Sequence, residues 1–177
     1  MVDEVMDLNL HSAEGRWRPM AEVDLPAASA LAASIHPAFP EDDAVFVERL
    51  ALYPAGCGVF DRGGQAEAYV VSHPWRRFEA PPLNSLLGAL PASPSTFYIH
   101  DLALSPAVRN TGAAAQIVAW LAEYALAEGI RHMSLIAVNG SAGFWQRQGF
   151  TATQDRTLAR TLDSYEGGAQ YMVRDLF

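Results

Sequence analysis

The sequence predicts a layered α/β domain, and three observations carry the prediction. Two helical patterns are followed by a hairpin, Gly58–Phe60 and Ala66–Ser72 around the turn Asp61-Arg62-Gly63-Gly64. A strand, a long amphipathic helix and a second strand succeed one another from Phe97 to Val138. Half of the 177 residues are apolar and 18% are charged, enough for one full core without disulfide staples.

In chain order, residues 1–16 lack periodicity and read as an N-terminal tail, leaving a single domain over 17–177. Trp17 to Met20 reads as a short first strand. A helix capped by Asp24, with Pro26 near its start, runs to Ile35 and is broken by His36-Pro37. A second helix covers Asp42 to Leu52. After the hairpin, Pro74 to Ser95 holds five prolines and reads as a long excursion with room for one short helix. Phe97 to Leu104 is a strand, and Gly112 to Glu128 a helix with Ile117, Val118, Leu121 and Ala125 on one side. Met133 to Val138, a short helix Ser141 to Gln148, a strand from Phe150 and a last strand Ala169 to Asp175 complete the order.

Composition excludes several classes of function. Twelve basic residues against twenty acidic ones give a net charge of −8, which disfavours nonspecific binding to nucleic acid or to an anionic membrane. It mildly favours cationic partners. No apolar run is long enough to span a bilayer, and the acidic start is unlike a signal peptide, so a cytoplasmic location is expected. A single cysteine, Cys57, rules out a disulfide framework, and it is expected as a small core residue. Five histidines without ligand spacing argue against a metal site.

The chemistry concentrates between a strand and the long helix. Arg109-Asn110-Thr111-Gly112-Ala113-Ala114 places small residues and free backbone N–H groups at a helix start, which suits a pyrophosphate. It matches neither the P-loop nor the dinucleotide fingerprint. Upstream stands Leu102-Ala103-Leu104-Ser105-Pro106. Downstream, after a strand, come Asn139, Ala142, Phe144-Trp145 and Gly149-Phe150. Over residues 97–150 this set resembles the GNAT superfamily of N-acetyltransferases.

The resemblance implies an α+β form of the layered domain. Its central sheet would be mixed and mostly antiparallel, with six to seven strands and helices on both faces. Met133–Val138 would splay from Phe97–Leu104 to leave a V-shaped slot. It further implies that the backbone at Leu102 and Leu104 pairs with the pantetheine arm of acetyl-CoA. Arg109 through Ala114 would hold the pyrophosphate, and Asn139 would touch the cofactor arm. The reaction implied is direct attack by an amine, of a small molecule or a peptide N-terminus, on the thioester. Where many family members carry a tyrosine as general acid, this sequence has Trp145; an indole cannot fill that role, so either the thiolate leaves unassisted or Tyr165 or Tyr171 approaches from the C-terminal segment.

His100 is the candidate general base, because histidine changes charge near neutral pH. Strand alternation places it on the face of Leu102 and Leu104 if no bulge intervenes, with Tyr98 beside it and Asp101 facing away. The alternative is a half-buried histidine satisfied by a backbone carbonyl. Ser141 is expected to cap the short helix, and Trp75, Phe78 and Phe97 either line an acceptor pocket or close the core. Glu41-Asp42-Asp43 either attracts an amine or stabilises a helix start. A non-catalytic acyl-CoA-binding regulatory module is the competing function, and an exposed strand or helix face leaves room for a homodimer.

Overall fold

A computed structural model describes residues 7–165 and 167–177. Its strands are β1 (Leu10–His11), β2 (Arg16–Pro19), β3 (Cys57–Arg62), β4 (Gln65–Trp75), β5 (Thr96–Leu104), β6 (His132–Ala137), β7 (Thr151–Ala152) and β8 (Gln170–Asp175). Its helices are α1 (Leu25–Ile35), α2 (Asp43–Leu52), α3 (Ala113–Ala127), α4 (Ala142–Arg147) and α5 (Ala159–Asp163). The strands form one eight-stranded sheet in the order β1-β2-β3-β4-β5-β6-β8-β7. Only the β5–β6 pair is parallel.

Local chemistry explains most boundaries. Pro26 stands in the first turn of α1, where its missing N–H costs nothing, and His36-Pro37 ends that helix. Gly63 and Gly64 both have positive φ, as the tight turn between β3 and β4 requires. α3 buries Ile117, Val118, Leu121 and Ala125 against one face of the sheet, together with Phe97, Ile99, Met133 and Leu135. α1 and α2 cover the other face over Val59, Tyr69, Val71 and Ala103. Further along that second face, Tyr98 and Tyr171 are covered by Ala80 and Leu158 from two long connections.

Three expectations are corrected. The segment read as a tail over 1–16 supplies, in its described part, β1 and the first residue of β2; residues 1–6 lie outside the described residues. Leu8 is the physical reason: it is buried in the α3-side core and lies over Gly58, where a Cβ would come within 2.5 Å of its methyl group. That hairpin raises the strand count to eight, above the six to seven expected. The excursion after β4 contains turns and no helix, while α5 forms in a stretch where none was anticipated.

Two features of β5 build the site. It pairs with β6 only at Phe97, Tyr98 and Ile99, opposite Met133, Ser134 and Leu135, and beyond that point the strands diverge. It also carries a bulge against β4, for Val71 pairs with Asp101 while Ser72 pairs with Ile99. His100 is the residue left over.

Candidate active site

The divergence of β5 and β6 opens a cleft of about 810 Å³ that passes through the sheet. On the α3 side it is lined by Leu102, Leu104, Arg109, Asn110, Gly112 and Ala114, and by Phe144 and Trp145 of α4. On the α1–α2 side it is lined by His36, Phe39, Glu41, Leu83, His100 and Tyr165.

The cradle at the start of α3 is built from backbone. Asn110 and Gly112 both have positive φ, so successive amides curl toward one point rather than alternating. Gly112 is the N-cap of α3, and the first amides of a helix have no acceptor within it. A Cβ at Gly112 would meet nothing within 4 Å, so the space in front of the cradle is open. The α3 dipole and the Arg109 guanidinium add positive potential there. Trp17 anchors the assembly, donating from Nε1 to the Ala113 carbonyl at 2.9 Å. Thr111 turns away from the cleft: its hydroxyl donates to the Val108 carbonyl at 2.7 Å.

Past Ile99, β5 pairs with β4 on one side only, so its other edge offers free amides and carbonyls to an extended ligand. The side chains of Leu102 and Leu104 point into the α3-side core, which leaves their backbone to serve the cleft. An amide-rich arm along this edge and a pyrophosphate at the cradle suit the residues present. They fit coenzyme A.

The bulge decides where the titratable groups go. Phe97, Ile99, Leu102 and Leu104 belong to the α3-side core, whereas Tyr98 and Ala103 belong to the opposite face. Two residues stand between Ile99 and Leu102 where alternation allows one, so His100 and Asp101 share the α1–α2 face. The expectation that His100 lies with Leu102 and Leu104, and that Asp101 faces away, is therefore corrected. Tyr98 does lie beside His100, with ring centroids 6.4 Å apart.

His100 Nε2 lies 2.8 Å from Glu41 Oε1, and its side chain is only 2% exposed. Its Nδ1 is buried with no hydrogen-bond partner. The second oxygen of Glu41 accepts from the Asn84 amide at 3.1 Å. Both ends of the carboxylate are thus fixed. Asp101 accepts from the Tyr69 hydroxyl. Its Oδ1 also lies 3.1 Å from His36 Nε2. Burial works against the His36 imidazolium, but Asp101 and Glu41 outweigh it and hold its pKa above the usual value. Burial likewise raises Asp101, yet His36 and Tyr69 prevail and its pKa lies below the ordinary carboxylate range.

Asn139, at the end of β6 with positive φ, lines the cleft. Its side chain spans the slot and pairs with His36 Nδ1 at 2.9 Å. Ser141 occupies the N-cap of α4 without any side-chain capping bond, contrary to expectation, and instead lines the cleft. Of the two candidate tyrosines, the structure brings Tyr165 to the cleft and not Tyr171. The Tyr171 hydroxyl accepts from the Phe78 amide at 3.0 Å outside the cleft lining. Burial, then the charges of Glu41 and Asp101, raise the Tyr165 pKa and keep its phenol protonated. Trp145 is buried edge-on between Phe144 and Phe150. Trp75, Phe78 and Phe97 do not line the cleft; they close the core. Cys57 is buried, and burial pushes its thiol up to about 12.

Glu41, His36 and Asp101 were not anticipated as a group with His100. The acidic run and the His36-Pro37 break were visible, but nothing in the sequence joined residues 36–41 to residues 100–101 across the fold.

Residues 25–150 match the family model described as the acetyltransferase (GNAT) family. The chain belongs to the GNAT acetyltransferase family. No curated protein matches the sequence. Among solved structures, the GphF GNAT-like decarboxylase in complex with isobutyryl-CoA superposes with a TM-score of 0.76 at 18% identity, covering 92% of this chain and 100% of that one. Ard1 from Thermoplasma volcanium superposes with a TM-score of 0.71 at 14% identity, over 93% and 99%. The ribosomal-protein-S18-alanine N-acetyltransferase from Escherichia coli gives 0.63 at 16% identity, over 92% and 94%. These likenesses are of fold. As a GNAT acetyltransferase the protein draws its acetyl group from acetyl-CoA.

Proposed function

We propose that the protein acetylates a primary amine, with the Glu41–His100 pair as its proton-accepting machinery. One observation carries the reading: a single cleft joins the α3 cradle and the free edge of β5 to a buried carboxylate–imidazole pair on the far side of the sheet. That is the arrangement needed to present an acyl donor from one side and an acceptor from the other.

When bound, acetyl-CoA supplies a thioester carbonyl open to direct attack by nitrogen. The chain's residues supply placement and proton transfer. Arg109 and the amides from Asn110 to Ala114 hold the pyrophosphate, and the edge of β5 from Asp101 to Leu104 holds the arm. With Nε2–H given to Glu41, His100 keeps an unpartnered Nδ1 lone pair; because Nδ1 is buried, the proton of an incoming ammonium reaches it through one bridging water rather than by direct contact. Glu41 then faces an imidazolium and stabilises it, while the Asn84 amide keeps the carboxylate in line. Tyr165 lines the same cleft, but burial and the charges of Glu41 and Asp101 make its phenol a weaker acid than a free one, so the sulfur leaves as a thiolate. Asn139 supports this end by fixing His36 across the slot.

Calorimetric titration of acetyl-CoA into the wild type and a Gly112→Asp variant, with ATP and NAD as controls, tests the cofactor half. Thiol release in the presence of a panel of amines tests the transfer half. Binding that collapses in the variant, followed by amine-dependent thiol release, is expected. Acetyl-CoA bound tightly with no transfer to any amine would favour a non-catalytic acyl-CoA-binding module.

A further inference from the structure

We propose that the acceptor is a small primary amine with an apolar body and no carboxylate, rather than the N-terminus of a polypeptide; this rests on the acetyl-transfer reading above. On the α1–α2 side the cleft is bounded by three segments, residues 36–42, 76–95 and 153–165, and they are joined to one another. The rings of Phe39 and Tyr165 lie 6.1 Å apart, the Tyr165 hydroxyl reaches the Pro81 carbonyl at 3.4 Å, and the Thr157 hydroxyl reaches the Phe78 carbonyl at 3.3 Å. The Asn84 amide meets Glu41, and its side-chain oxygen accepts from the Asp42 amide at 2.8 Å. A peptide acceptor needs a gap through which its second and later residues leave the site. These contacts tie the three segments together and narrow the way out between them.

The lining supplies the rest of the specificity. Beside His100 and Glu41, the acceptor end presents Ile35, Phe39, Leu83 and the Tyr165 ring, which would enclose an apolar body. Among the described residues, the arginines lining the cleft are Arg109 and Arg147, which belong to the α3 and α4 side. The buried Arg49 is held by Glu48 and by the Ser85 carbonyl and is absent from the lining. An acceptor carboxylate would therefore stand beside Glu41 and Asp101 with no arginine to answer it, and with the His36 imidazole already taken by Asp101.

Bisubstrate conjugates test this without depending on turnover. Coenzyme A is joined through an acetyl linker to phenethylamine, to the amino group of phenylalanine, or to the N-terminus of a decapeptide, and each affinity is measured by calorimetry against coenzyme A alone. The phenethylamine conjugate is expected to bind about 30-fold tighter than coenzyme A, the phenylalanine conjugate about tenfold less tightly than the phenethylamine one, and the peptide conjugate within about threefold of coenzyme A. Phe39→Ala is expected to cut the phenethylamine gain about tenfold and to raise the peptide gain. A peptide gain in the wild type equal to the amine gain overturns the proposal, as does an equal gain for the phenylalanine conjugate. Binding of coenzyme A with no gain from any conjugate also overturns it while leaving the acetyl-CoA reading intact. Failure of coenzyme A itself to bind overturns that reading.

Discussion

His100 and Asp101 are neighbours in sequence, yet both project from the same face of β5, because Val71 pairs with Asp101 and Ser72 with Ile99. Regular alternation would send one of them into the α3-side core. The bulge delivers His100 to Glu41 and Asp101 to His36 and Tyr69, so two acid–imidazole contacts stand side by side on the α1–α2 side of the slot. The bulge also lies where β5 and β6 part, which puts the proton-transfer groups beside the free strand edge.

Replacing Glu41 by Gln should separate orientation from charge. The amide oxygen can still accept from Asn84 or from His100, but not from both, because the other end is now an NH2 donor, and no negative charge faces the imidazolium. A fall of about 10²–10³ in kcat with acetyl-CoA affinity unchanged is expected, read from steady-state rates beside calorimetry. An effect confined to KM for the amine would mean that Glu41 only binds the acceptor.

Gly112 separates two ways of damaging the cradle. Alanine there meets no neighbour but must adopt φ near +88°, at a cost of about 1–2 kcal/mol. Aspartate adds the same strain and a negative charge where phosphate is to sit. Gly112→Ala should weaken acetyl-CoA about 5- to 30-fold if the strain is felt in the bound loop, and Gly112→Asp by at least about 100-fold. Equal affinities for both variants would show that the pyrophosphate lies elsewhere.

Much of this was legible in the sequence, and the reasons differ by region. The cradle and β5 could be read because glycine and small residues at a helix start have a local physical meaning that needs no tertiary context. The tail was misread because β1 and β2 are short, and only Leu8 packing over Gly58 makes them part of the sheet. The His100–Glu41 pair joins residues 59 apart in sequence, and the face of His100 turns on one unpaired residue in the ladder. Period-2 reasoning has no way to register an inserted residue, so it placed the side chain on the wrong side.

Trp17→Phe should reveal how the cradle is anchored. The indole donates a second hydrogen bond to the Ala113 carbonyl, which already accepts within α3, and phenylalanine removes that bond and part of a fully buried ring. A loss of about 1–3 kcal/mol in unfolding free energy is expected by denaturant titration, together with weaker acetyl-CoA binding. Unchanged stability would mean that the indole N–H contributes nothing net.

His73 sets a pH dependence of stability. Burial, helped by the His100 and Arg49 charges and opposed by the Pro74 carbonyl, pushes its pKa down to about 3. An unfolded histidine titrates near about 6.5, so between that pH and about 3 the unfolded chain binds one proton more than the folded protein. This contribution is complete above about pH 6.5 and is lost as the pH falls. In His73→Gln, the slope of unfolding free energy against pH should be lower by about 1.4 kcal/mol per unit across the window. Identical slopes for the two proteins would refute the assignment.

The most direct test of the account is the rate of acetyl transfer by His100→Gln, measured beside its affinity for acetyl-CoA. The buried His100–Glu41 pair as proton acceptor predicts a fall in kcat of at least about 100-fold, with Kd for acetyl-CoA within about threefold of the wild type. A variant that keeps the wild-type kcat would contradict it and make His100 a residue of the fold alone.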